Sequence, residues 1–297
     1  MSIVAVLTTF FLLQAEPPAG PVTPTGATPL DTNWAQLEIV GGLVHPWSAA
    51  WLPDDGGILI TERDGRLRLY ADGALRPKPI AGVPPVAAVG QGGLMDIALH
   101  PAFATNRLVY FTAATGDERA NRTVLFRAVL NEERTQLTDV ETLYRVRRDK
   151  SGGQHFGSVI AWLPDGSLLL SIGDGGNPPV MLDGGLIREQ AQNRELGFGK
   201  VLRMTEDGKP HPGNPFLDGA GAAPFVYTYG HRNVQGIALR PNPYASAGGP
   251  GEAASEDTTA AWSGDIWVTE HGARGGDELN RLERGANYGW PKATYST

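Results

Sequence analysis

The stretch "SGGQHFGSVIAWLPDGSLLLSIGDGG", residues 151–176, decides how this chain folds. Two runs rich in Val, Ile and Leu flank a turn at Pro164, Asp165, Gly166 and Ser167. Short apolar runs joined by such a turn read as a β-hairpin. His155 lies nine residues before the turn and Asp174 seven after it. In an antiparallel hairpin those offsets bring both residues to the same open end. A carboxylate there can hydrogen-bond the imidazole, fix its tautomer and raise its basicity. The flanking glycines, among them Gly153, Gly157, Gly173 and Gly175, keep that end uncluttered. A surface histidine beside a turn aspartate fits the same spacing.

The hairpin phrase recurs. "AAWLPDDGGILITERDGRLRLY", "DIALHPAFATNRLVYFTAA", "GIALRPN" and "GDIWVTEHG" each set an apolar run against a polar turn, and no segment carries a long, capped helical period. The prolines of the phrase fall at Pro53, Pro101, Pro164 and Pro241. The first gap matches a propeller blade of ~40–50 residues, and the longer gaps read as blades with inserted loops. Residues 251–262, "GEAASEDTTAAW", look like such an insertion. The expectation is therefore an all-β chain built as a radial array of four-stranded blades. A β-sandwich would not repeat one hairpin phrase at blade-like intervals. The sequence stops at "NYGWPKATYST" without a closing strand. Open edge strands are exposed pairing sites, so the ring is expected to be incomplete at this end.

Composition narrows the function. Of 297 residues, 41% are apolar and 19% charged, which supports a packed core. The net charge of −7, with both signs interspersed, disfavours nucleic acid as a partner. Cysteine is absent, which excludes disulfides, thiolate metal sites and a cysteine nucleophile. The apolar run at residues 3–13 is too short for a bilayer span of ~20 residues. It reads as a signal peptide over residues 1–15, followed by a Pro-rich linker at 16–32 and a propeller domain at 33–297. Export to the periplasm or beyond follows from that reading, with no stable membrane span.

Three further stretches hold polar residues between glycines. In "YTYGHRNVQG", residues 227–236, His231, Arg232 and Asn233 stand between Gly230 and Gly236. A guanidinium beside an amide suits a planar, anionic or carbonyl-rich ligand, although a loop arginine on the rim fits as well. In "TEHGARGGDELNRLERGANYGWP", residues 269–291, Glu270, Asp277 and Glu278 resemble calcium ligands without EF-hand spacing, and the Gly-rich loop could offer carbonyls instead. Gln91 sits between Gly90 and Gly92, just before a strand.

The phrases "GQGGLMDIALHPAF", "GGQHFGS", "LLLSIGDGG", "GFGKVLRM", "YGHRNVQGIAL" and "EHGARGGDELNRLERGANYGWP" follow one another in this order. In them the sequence resembles the soluble pyrroloquinoline quinone (PQQ)-dependent glucose dehydrogenases, and more closely their aldose sugar dehydrogenase branch, from about residue 37 to residue 291. The resemblance implies a six-bladed β-propeller carrying PQQ and calcium over the central channel. An aldose would lose hydride from C1 to the quinone and leave as a lactone, and an external electron acceptor would reoxidise the cofactor. By the same resemblance His155 is the general base and Asp174 supports it. Arg232 polarises the quinone carbonyl, Asn233 holds the cofactor, and the backbone carbonyls of Gly272 and Ala273 bind calcium and, through it, PQQ. Gln91 and Gln154 face the substrate. Gln154 stands where the glucose dehydrogenases carry an acid, which points to a different sugar preference. Ala273 and Val234 replace prolines. The resemblance also implies further blades beyond Thr297.

Two other readings stay open on the sequence. One is a propeller that binds a sugar or partner without turnover. The other is a calcium-dependent propeller lactonase, which would want several carboxylates aimed at one ion.

Overall fold

The computed structural model describes residues 38–53, 56–241 and 264–294. The expected signal peptide, the linker and the insertion at 251–262 lie outside the described residues. The chain divides into two units, Met1–Val44 and His45–Thr297. Of the first, residues 38–44 are described and hold no regular secondary structure.

The second unit is all-β, and its sheets are short antiparallel meanders that follow one another along the chain. Blade 1 is β1 (Pro46–Trp51), β2 (Ile58–Glu62), β3 (Arg66–Ala71) and β4 (Ala74–Leu75). Blade 2 is β5 (Leu94–Leu99), β6 (Leu108–Gly116), β7 (Asn121–Leu130) and β8 (Leu137–Arg145). Blade 3 opens with β9 (Ile160–Trp162) and β10 (Leu168–Ile172). A small hairpin of β11 (Met181–Leu182) and β12 (Gly185–Leu186) and a 3-10 turn (Ile187–Gln192) then intervene. The blade closes with β13 (Lys200–Met204) and β14 (Val226–Tyr229). Blade 4 has three strands among the described residues, β15 (Val234–Arg240), β16 (Asp265–Glu270) and β17 (Glu278–Arg281). The described residues thus form four blades of a propeller. Pro53, Pro101, Pro164 and Pro241 each follow the first strand of one blade, as the repeat predicts.

The run "LLLSI" of β10 shows why the pattern is continuous and not alternating. Successive side chains of a strand point to opposite faces. Leu168, Leu170 and Ile172 pack with Tyr110, Leu125 and Tyr144 of blade 2. Leu169 packs the other way, with Val234, Ile266 and Val268 of blade 4. Both faces of the strand are buried, so no polar alternation is needed.

One polar device recurs between blades. Thr61 on β2, Thr112 on β6 and Ser171 on β10 are all fully buried. Each hydroxyl accepts a backbone N–H from its own blade, from Ser48, Asp96 and Val159 at 3.0, 3.0 and 2.9 Å. Each then donates to a carbonyl at the start of the next blade, on Met95, Ser158 and Val234 at 2.6, 3.0 and 3.1 Å. In blades 1 and 2 the first strand breaks register opposite the hydroxyl. A buried N–H and C=O that the sheet ladder cannot reach are thereby satisfied. These bonds fix neighbouring blades at the end where first strands begin and second strands finish.

Thr112→Val keeps the shape but strips the partner from Asp96 N–H and from Ser158 C=O. The expected loss is about 1–3 kcal/mol of unfolding free energy, read by denaturant titration, with Thr112→Ser close to wild type.

Candidate active site

His155 and Asp174 meet at the open end of the β9–β10 hairpin. His155 Nδ1 lies 2.7 Å from Asp174 Oδ1, and both side chains are buried. A carboxylate only accepts, so Nδ1 carries a proton, and in the neutral ring the lone pair is on Nε2. No described residue hydrogen-bonds Nε2. His155 has a left-handed backbone (φ 51), held by its N–H donating to Gln91 Oε1 at 2.8 Å. Asp174 Oδ1 also accepts Gly176 N–H at 2.9 Å, and Oδ2 accepts the indole N–H of Trp290 at 2.7 Å. Gly173 must be glycine. A Cβ there would lie 2.2 Å from the His155 carbonyl oxygen and 2.6 Å from Asn233 Oδ1.

The loop before β15 supplies the second half of the site. Asp174 N–H donates to the Arg232 carbonyl at 2.8 Å, so the two loops are tied together. The guanidinium of Arg232 lies 5.6 Å from the Trp290 ring centroid. Its Nη1 donates to His271 Nδ1 and to the His271 carbonyl at 2.5 and 3.0 Å, and its Nη2 reaches Asn177 Oδ1 at 3.2 Å. Its Nε is buried without a hydrogen-bond partner among the described residues. Burial outweighs the pull of Asp174, Glu270 and Asp277 and lowers the Arg232 pKa. Asn233 Oδ1 accepts Gly157 N–H at 3.0 Å, and its Nδ2 lies 3.3 Å from His271 Nε2. The His271 and His155 rings meet edge to face, 5.8 Å apart. Burial, Arg232 and His155 all depress the His271 pKa, which keeps its Nδ1 an acceptor for the guanidinium.

The remaining predicted residues lie around this core. Gln154 is exposed, and its Oε1 accepts Asn177 N–H at 3.2 Å. Gly272 and Ala273 follow His271 in the loop after β16, and Gly272 lines a small cavity together with Arg232 and His271. Gly272 N–H donates to Asp277 Oδ1 at 3.1 Å, and Glu278 accepts from Asn280 Nδ2 at 2.8 Å. Both carboxylates are thus occupied in shaping their own loop. Among the described residues, no group of three or more His, Asp or Glu side chains gathers as metal ligands. Sequence reasoning missed His271, Trp290 and Asn177. Trp290 is 116 residues from the aspartate it contacts, and no local pattern announces such a pairing.

Lys150, 3% exposed, sits beneath the base loop. Its Nζ donates to the Gly152 carbonyl at 2.9 Å and lies 3.9 Å from the Phe156 ring centroid. Burial, only partly offset by Asp174, lowers its pKa to about 8.

The propeller thus gathers an imidazole–carboxylate pair and an arginine–asparagine pair where its third and fourth blades begin. The family profile described as Glucose / Sorbosone dehydrogenase matches residues 43–250 and 256–297, and the chain belongs to that family. It is 50% identical over 268 residues to an uncharacterized protein of Synechocystis, covering 88% of this chain and 60% of that protein. It is 36% identical over 254 residues to aldose sugar dehydrogenase YliI of Escherichia coli, covering 85% and 60%. Among solved structures it superposes on the PQQ-bound form of the aldose sugar dehydrogenase from Streptomyces coelicolor with a TM-score of 0.65 and 33% identity, over 86% of this chain and 65% of that one. The chain thus spans about 60% of the length of the two curated relatives named here.

Lys150 makes stability pH-dependent in a defined direction. Its folded pKa of about 8 lies below the ordinary 10.5, so the unfolded chain binds the proton more tightly between those values. Stability relative to Lys150→Met is expected to rise from pH 8 towards pH 10.5, as measured by parallel urea titrations.

Proposed function

We propose that the protein is a PQQ-dependent aldose sugar dehydrogenase that oxidises the C1 hydroxyl of an aldose to a lactone. The observation that carries this reading is the buried His155, whose Nδ1–H is committed to Asp174 while Nε2 is left for a substrate hydroxyl. PQQ, when bound, supplies the acceptor for the hydride that leaves C1. The residues suit such a group. The unpartnered Nε of Arg232 wants an acceptor, the guanidinium is a fixed positive charge for a quinone oxygen, and Asn233 stands beside it. The backbone carbonyls of Gly272 and Ala273 would hold a calcium ion, which asks for oxygen ligands.

His155 Nε2 takes the hydroxyl proton. Asp174 keeps the ring in the required tautomer and stabilises the imidazolium that forms. Trp290 and Gly176 fix Asp174 in turn, so the base cannot swing away. In this reading the exposed Gln154 would contribute to sugar selection, and Gln91 holds the loop of His155 through its amide. The two electrons must leave again, so an external acceptor is the second partner. The apolar run at residues 3–13 supports export. Among the described residues no helix is long and apolar enough to cross a membrane.

Purified protein supplied with PQQ and calcium should bleach the quinone absorbance on addition of glucose or another aldose and reduce a dye. His155→Ala should slow this by about 10²–10⁴-fold, with PQQ binding retained. Uptake of PQQ without reduction by any aldose would favour a binding propeller instead.

A further inference from the structure

His231 is the one member of the His-Arg-Asn triplet that the proposed chemistry leaves unused. Its ring is fully buried and stacks on Tyr288, with centroids 4.6 Å apart and planes 20° from parallel. Nδ1 donates to Glu270 Oε1 at 2.9 Å, and Nε2 accepts from the Thr228 hydroxyl at 2.9 Å. Both ring nitrogens are spent, so this imidazole has none left for a substrate.

Glu270, at the end of β16, is nearly as buried. One oxygen serves His231. The other accepts the backbone N–H groups of Arg232 at 2.7 Å and Asn233 at 3.3 Å. Asn280 Nδ2 stands 3.5 Å from Oε1. Burial alone would raise the Glu270 pKa, but the hydrogen bonds from His231 and the two amides outweigh it and hold the carboxyl below its ordinary range.

The preceding blade holds a related pairing. In blade 3 a histidine before the first strand, His155, meets a carboxylate just past the second strand, Asp174. In blade 4 His231 again precedes the first strand, but its carboxylate, Glu270, is the last residue of the second strand. In blade 3 the ring keeps Nε2 for chemistry. In blade 4 the carboxylate keeps an oxygen for the backbone that carries Arg232 and Asn233.

We infer that Glu270, held in place by His231, is a positioning residue that presets the Arg232–Asn233 backbone for its ligand. This rests on the proposed role of Arg232 and Asn233 in holding PQQ. Two consecutive amides aimed at one anchored oxygen fix the peptide between them and the direction in which both side chains leave. A clamp ordered beforehand loses less conformational freedom on binding. Glu270 therefore serves the site without contributing a metal ligand.

The test combines two readouts on the full protein. Amide hydrogen exchange at Arg232 and Asn233, measured without cofactor, should quicken by about tenfold or more in Glu270→Ala. In Glu270→Gln it should stay near wild type, because the amide oxygen can still accept from both N–H groups. Equilibrium titration with PQQ in the presence of calcium should show about 10–100-fold weaker binding for Glu270→Ala, with Glu270→Gln within about threefold of wild type. Should Glu270→Ala not fold, His231→Phe keeps the stack on Tyr288 while removing the donor to Glu270, and it should speed the same two amides. Unchanged exchange in the variants that fold would overturn the inference, as would Glu270→Gln losing as much affinity as Glu270→Ala. If wild type itself takes up no PQQ, the cofactor reading fails separately, and the exchange data still decide whether Glu270 sets this backbone.

Discussion

A buried carboxylate must be met by donors, and at the site two of them are. Removing an ionised carboxyl from water costs several kcal/mol even after relaxation, unless hydrogen bonds replace the lost hydration. Asp174 meets this demand with His155, the Gly176 amide and the Trp290 indole. Glu270 meets it with His231 and the amides of Arg232 and Asn233. The loops before β9 and β15, the ends of β10 and β16, and a tryptophan far along the chain must all be in place before either charge is satisfied. The two anions thus define where the functional side chains stand.

The propeller makes that arrangement stiff. Consecutive blades pack through two-sided strands such as β10, and a buried hydroxyl of one blade holds the start of the next. Ser171 belongs to this set, and it donates to Val234, the residue after Asn233. His155 and Arg232 lie on neighbouring blades, so the seam between blades 3 and 4 sets their separation.

The blade pattern was legible in the sequence because it is local. Each proline after a first strand, each turn and each apolar run lies within one hairpin, and the short-range periodicities report on such units. The pairing of His155 with Asp174 was legible for the same reason, since both sit on one hairpin. Flanking glycines mark Arg232 and Asn233 in the sequence, but the roles proposed for them follow from family resemblance. The sequence makes Glu270 a candidate calcium ligand, whereas its oxygens face His231 and two backbone amides. No local pattern marks Trp290, His271 or Asn177. Their contacts join separate loops across blades, and no periodicity encodes a contact of that range.

The tautomer of the base is the most direct quantity to measure. Nitrogen-15 NMR of the histidine side chains near pH 7, in protein without cofactor, reports which ring nitrogen carries the proton. The account predicts His155 protonated on Nδ1 with Nε2 bare, and the same assignment for His231. A His155 ring protonated on Nε2 alone, or on both nitrogens, would contradict it, because neither form keeps the bare Nε2 that the proposed base requires.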